Sequence, residues 1–182
     1  MTENSPGNPL DRVSTLTFDI FGTVLDLAGS IVPPLEEILR SCEAHESITG
    51  ADVWSHWRQR QRIEQYQDNL LMLGHSGYQA VMKRALLYSL RTLKIEFTYE
   101  QIDELMKAYQ GLTPFQDAID GLKRLGTKYQ LVILSNGEGR YLEHLVKNRI
   151  GIDFHAILSA ELVGQFKPHP SVYRFAAKSL EL

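Results

Sequence analysis

Apolar positions along this chain change their spacing twice. Thr15, Leu16, Thr17 and Phe18 form a short β-branched and bulky run, which predicts a strand with Asp19 at its exit. The spacing then becomes helical over 34–44, 52–73, 78–93 and 99–110. Thr98 and Gln101 make a capping-box pattern ahead of the last of these stretches, and Gly74 with Gly77 separates the second from the third. From Thr113 the pattern returns to mixed strand and helix. Pro114 opens a helix that runs to Leu125 and is closed by Gly126, and QLVILS at 130–135 is a nearly continuous apolar strand of the buried parallel kind. Asn136 and Gly137 turn the chain into a helix reaching about Asn148; a weaker strand at 156–159, a loop through FKPHP and a final helix from Ser171 complete the order. No internal repeat or low-complexity segment interrupts it.

The simplest architecture is α/β, with a parallel-sheet core built by 14–24 and 113–182 and a helical insertion, 25–112, lodged over the strand ends. A cap at that place closes on a small substrate and excludes water. The start, MTENSPGNPLD, is polar and proline-containing, which makes 1–13 a flexible tail without the apolar core of a signal peptide.

Composition narrows the partners. At 182 residues the chain suits one domain with an insertion, and a formal charge of −3 with scattered cations offers no basic field for nucleic acid. No apolar run approaches the roughly 20 residues of a membrane span. Cys42 is the only cysteine, so no intrachain disulfide is available and a reducing cytoplasm fits. The six histidines are dispersed, with no HxxxH pair, so no metal or other cofactor is expected.

The candidate chemistry centres on LTFDIFGTVLD at 16–26. A carboxylate at a strand exit can attack an electrophilic centre and form a covalent intermediate, or it can merely cap the turn that follows. Three further positions occupy strand ends or the helical block: Arg58 in WRQRQR, Ser135 with Asn136 after the buried strand, and Lys167 in KPHPSVY. Each has a bland counterpart: a charged helix face, a turn, a solvated loop lysine.

In order and placement these positions resemble the haloacid dehalogenase superfamily over nearly all of the chain after the tail, and within it the type II 2-haloacid dehalogenases. The resemblance implies a Rossmann-like core with a helical cap. Its phosphatases carry DxDxT, whose second aspartate protonates the leaving oxygen; here that position is Phe21. An aromatic ring transfers no proton, whereas halide departs as an anion and needs none. Tyrosine is usual there in the dehalogenases, so phenylalanine is a mild departure.

Residue by residue, the resemblance implies that Asp19 attacks C2 of a small 2-halocarboxylic acid in line with the departing halide, forms an ester and inverts C2. Thr23 would hydrogen-bond near the nucleophile, Lys167 would favour its ionised form, and Arg58 would stabilise the departing halide. Tyr173, six residues beyond the lysine, matches a family tyrosine. Ser135 and Asn136 would bind the substrate carboxylate; Ile20 and Phe21 would line the pocket. Tyr78 falls where relatives place an aromatic cap residue, a core role being the alternative. Trp54 and Trp57 read as packing residues, with Trp57 flanking the pocket. Relatives commonly pair through helices, which leaves room for a homodimer.

Relatives also continue past the last helix with a strand, a serine- and asparagine-rich loop ending in an aspartate, and further strands. On that comparison the sequence lacks the support for ester hydrolysis, as a fragment of a longer protein or as a short inactive one. Its first strand, central in the family sheet, would then bare an edge. Two other readings stay open: a related hydrolase of another small substrate, including a phosphatase that has replaced its acid, and a non-catalytic protein that keeps the fold.

Overall fold

The computed structural model describes residues 12–41 and 48–182, so most of the expected tail and Cys42 lie outside the described residues. In chain order the elements are β1 (Thr15–Phe18), β2 (Leu25–Asp26), α1 (Leu27–Ser41), α2 (Gly50–Leu70), α3 (Tyr78–Thr92), α4 (Tyr99–Ala108), β3 (Thr113–Pro114), α5 (Gln116–Gly126), β4 (Gln130–Ser135), α6 (Gly139–Leu145), β5 (Ala156–Ser159) and α7 (Pro170–Ser179). The main sheet is parallel, in the order β1-β4-β5.

β4 takes the centre of that sheet because Leu131 to Ser135 are buried without a break, as a strand covered on both faces must be. Its register pairs Phe18 with Ile133 and Ser135 with Ser159. The strands therefore finish side by side, with Asp19 and Asn136 leaving adjacent ends. One apolar cluster joins Ile20, Phe21, Leu25, Ile31, Trp57, Tyr78, Tyr109 and Leu142, so the strand exits and the helical block share a core. A second cluster, with Val132, Leu134, Leu158, Val172 and Ala176, lies under α7.

Two of the boundaries that depart from the sequence pattern involve proline. α1 begins at Leu27 and carries Pro33 and Pro34 inside it, instead of starting at Pro34. Leu27, Ile31, Leu35 and Leu39 form a buried stripe at four-residue spacing, and the Asp26 carboxylate accepts the Gly29 N–H at 2.8 Å near the start of the helix. Pro114 belongs to β3, pairing antiparallel with Leu25, and α5 starts at Gln116. That short ribbon joins the point where the chain leaves for α1–α4 to the point where it returns. Phe115 N–H reinforces it by donating to the Val24 carbonyl at 2.9 Å. Capping boxes start α2, between Thr49 and Asp52, and α4, between Thr98 and Gln101 as the pattern predicts. Among the described residues no helix is long and apolar enough to cross a membrane.

Among the described residues β1 has a strand on one side only, and beside it Phe18, Val24, Phe115, Leu122 and Leu125 line a groove of about 410 Å³. An open edge next to apolar surface is a template for pairing with another chain. Size-exclusion chromatography of these 182 residues is therefore expected to show concentration-dependent self-association. A monodisperse, cooperatively unfolding monomer would contradict this.

Candidate active site

Asp19 ends β1 where the backbone reverses. Val24 and Leu25 N–H both donate to the Ile20 carbonyl, at 3.1 and 2.9 Å, and Gly22 holds φ +85°, a conformation that glycine adopts without penalty. This reversal brings Thr23 back over Asp19, its hydroxyl donating to Asp19 Oδ2 at 3.2 Å. Lys167 Nζ donates to Asp19 Oδ1 and to the Leu134 carbonyl, both at 2.7 Å. One donor on each oxygen fixes the plane of the carboxylate and leaves it lone pairs to spare.

The lysine is itself held from two directions. Its backbone N–H donates to Asn136 Oδ1 at 2.7 Å, from the end of β4. The preceding residue, Phe166, is fully buried and exchanges two hydrogen bonds with Asn69 of α2: Phe166 N–H to Oδ1 at 2.9 Å, and Nδ2 to the Phe166 carbonyl at 2.8 Å. Asn136 also donates through Nδ2 to Gln65 at 3.3 Å, while its carbonyl lies 2.8 Å from His75 Nε2. Ser135 is buried, and its hydroxyl accepts the Gly137 N–H at 3.3 Å. Gly137 is required there, because a Cβ would come within 2.9 Å of Leu142 and of the Phe21 ring.

Phe21 stacks on Tyr78 with ring centroids 4.3 Å apart and on Tyr141 at 5.7 Å. Ile20 is buried beside it. Across from these rings α2 presents a polar inner face. Gln61, Gln65 and Asp68 are buried, and Arg58, a turn earlier, is half-buried and donates to Gln61. The neighbouring cations point elsewhere: Arg60 pairs with Glu64 at 2.6 Å and Arg62 is exposed. The Arg58 guanidinium also lies 5.5 Å from the Trp54 ring centroid. Trp57 is fully buried and donates from its indole to the Met82 carbonyl at 2.8 Å, a packing role. Burial pushes the Tyr78 phenol up to about 12, against the opposing influence of Arg58 and Gln61, while Asp19 adds to the rise. Tyr109 and Tyr141 are raised by burial as well.

The structure thus gathers Asp19, Thr23, Lys167 and Asn136 into one bonded group, with Ile20, Phe21 and Ser135 against it and Arg58 and Tyr78 facing from the helices. Tyr173 is apart from them: it lies on α7, 48% exposed, with no described hydrogen bond or ring contact to Asp19, Arg58 or Lys167. Gln61, Gln65, Asn69, His75, Tyr109 and Tyr141 were not singled out by the sequence. The signal for Gln61, Gln65 and Asn69 is their helical spacing from Arg58, which puts them on its face of α2. Among the described residues no group of three or more His, Cys, Asp or Glu is placed to hold a metal ion.

The chain is similar to known proteins over most of its length. Residues 13–182 match the haloacid dehalogenase-like hydrolase family. The chain is 31% identical over 173 residues to (S)-2-haloacid dehalogenase 4A of Burkholderia cepacia, covering 94% of this chain and 71% of that protein. It is 30% identical over 169 residues to the (S)-2-haloacid dehalogenase of Xanthobacter autotrophicus, covering 92% of this chain and 63% of that one. The structure of the L-2-haloacid dehalogenase from Xanthobacter autotrophicus with chloropropionic acid covalently bound is similar at a TM-score of 0.76 and 28% identity, over 93% of this chain and 66% of the other. Sequence and fold agree over nearly the whole chain, and the protein belongs to the haloacid dehalogenase-like hydrolases.

Proposed function

We propose that the protein hydrolyses small 2-haloalkanoic acids, such as haloacetate or 2-halopropionate, to 2-hydroxy acids through an ester on Asp19. The observation that carries this reading is the carboxylate at the strand exit, held at one oxygen by Lys167 and at the other by Thr23, with an aromatic ring where a proton donor would stand. An Asp19 oxygen attacks C2 as the C–halogen bond breaks and its electron pair leaves with the halide. Arg58 faces that departing charge, the setting in which a fixed cation lowers the barrier. The substrate carboxylate docks against the polar groups after β4, Ser135 and Asn136, and the walls formed by Ile20, Phe21 and Tyr78 hold C2 at the roughly 3 to 3.5 Å that in-line attack requires. Water then attacks the ester carbonyl, returning the aspartate and releasing the hydroxy acid with a proton.

The phosphatase alternative is disfavoured because Phe21, stacked between Tyr78 and Tyr141, has no proton to give an alkoxide. In this reading 25–112 is the cap over a core of 14–24 and 113–182, and the short β2–β3 ribbon is the hinge region between them. A role for Tyr173 rests on the family pattern alone. A cytoplasmic setting suits the single cysteine. Exposed Ile63, Tyr66 and Leu70 along α2 support pairing of two copies.

A single turnover in heavy-oxygen water tests the ester route. The label is expected in Asp19, with the product hydroxyl unlabelled and C2 inverted; label found only in the product would exclude a covalent step.

A further inference from the structure

Two buried phenols in the site have no hydrogen-bond partner. Tyr78 is 2% exposed and Tyr109 fully buried, and among the described residues neither hydroxyl completes a hydrogen bond. A buried hydroxyl without a partner costs about 1 to 3 kcal/mol, so two at one place point to a group that the folded protein is built to receive.

Their neighbours say where that group would sit. The Tyr78 ring stacks on Phe21, two residues after Asp19. Tyr109 meets the edge of Trp57, the residue before Arg58, at 5.5 Å between ring centroids. The Tyr141 hydroxyl donates to the Tyr109 carbonyl at 2.7 Å and its ring also stacks on Phe21, so a chain of contacts runs from Tyr78 through Phe21 and Tyr141 to Tyr109. Arg58 acts electrostatically on both phenols, and Gln61 and Arg58 approach the Tyr78 hydroxyl without completing a bond of normal geometry. Both phenols belong to the helical block, and the Asp19 charge acts on Tyr78 as Arg58 does on both.

We propose that Tyr78 and Tyr109 donate their hydroxyl protons as hydrogen bonds to the departing halide beside Arg58, and that this pair sets the halide preference of the enzyme. The inference rests on the dehalogenase reading of Asp19 and names a specificity device within it. Burial keeps both hydroxyls protonated at neutral pH, and so able to donate. No proton is transferred: the C–halogen electron pair goes to the halide, and the phenols only solvate the charge that appears on it. Hydrogen-bond acceptance falls from fluoride through chloride to bromide, so the pair favours the smaller halides.

The test is first-turnover halide release and intact-protein mass with chloroacetate and bromoacetate, on the full chain and on its Tyr78→Phe and Tyr109→Phe variants. Each variant is expected to slow ester formation from chloroacetate by roughly tenfold or more, the scale of a lost hydrogen bond to a charged group, and from bromoacetate by several-fold less. Equal slowing with both substrates would overturn the inference and assign the phenols to general packing or to the substrate carboxylate. Unchanged rates would overturn it too. No adduct from either substrate on the unsubstituted chain would instead defeat the dehalogenase reading itself. Chloride-35 line broadening on the unsubstituted protein gives an answer that does not depend on variant folding. Saturable broadening is expected, and its absence would contradict a halide cradle at these phenols.

Discussion

Replacing Asp19 by Asn is expected to abolish ester formation, with first-turnover halide release falling by at least about 10⁴-fold, the scale seen when a covalent nucleophile is removed. The amide has nearly the volume of the carboxylate and still offers an oxygen to the Thr23 hydroxyl or the Lys167 ammonium, which now lie 3.2 and 2.7 Å from the two carboxylate oxygens. What it lacks is the charge that makes the oxygen a nucleophile. Folding should barely respond. The Asp19 side chain is 39% exposed and that of Lys167 17%, so the pair is partly solvated and screened, and such pairs contribute about 0 to 1 kcal/mol. The measurement is intact mass after incubation of freshly prepared protein with 2-chloropropionate, beside thermal unfolding of the same sample. A variant that folds normally and still releases one equivalent of halide would transfer the attack to water or to another carboxylate.

Much of this site was legible from local pattern because the relevant residues sit at points where pattern changes. β4 and β5 have the bounds that their apolar runs predict, and Asp19 and Asn136 are simply the residues at which two such runs stop. Lys167 was legible only through the family motif; nothing in its own neighbourhood distinguishes it from a solvated loop lysine until the fold brings Leu134 and Asp19 to its ammonium.

The parts that were not legible share a cause. The β2–β3 ribbon has two residues in each strand, too few to show a period. Pro33 and Pro34 imitate a helix start inside α1, where burial of the Leu27–Leu39 stripe outweighs the hydrogen bonds that interior prolines forfeit. From Arg58 onward the usual sense of amphipathicity on α2 is inverted. Arg58, Gln61, Gln65 and Asp68 read as a solvent face, yet they turn inward, since the space they fill is a polar cleft and not an oil-like core. Ile63, Tyr66 and Leu70 are left on the outside for the same reason. A helix whose buried side is its polar side is thus itself a mark of a site, and Gln61 and Gln65 could have been chosen on that criterion.

Lys167→Met carries the second large effect, because one ammonium serves two acceptors with different duties. Its bond to Asp19 Oδ1 orients that carboxylate, and its bond to the Leu134 carbonyl ties the FKPHP loop to the end of β4, each at 2.7 Å. Methionine keeps much of the stem volume and removes both donors. Ester formation is expected to fall by about 10² to 10³-fold, comparable to losing one preorganised electrostatic contact in an enzyme site. Stability is expected to fall as well, by about 1 to 3 kcal/mol, because the carbonyl of nearly buried Leu134 loses a donor. The combination separates this variant from Asp19→Asn, which should lose the chemistry while keeping the fold. Arginine is not expected to rescue it: a planar guanidinium cannot place one nitrogen between two acceptors that a tetrahedral ammonium reaches together. First-turnover halide release and urea unfolding of Lys167→Met and Lys167→Arg measure the two effects separately. Full activity in the methionine variant would show that Asp19 is oriented by Thr23 alone.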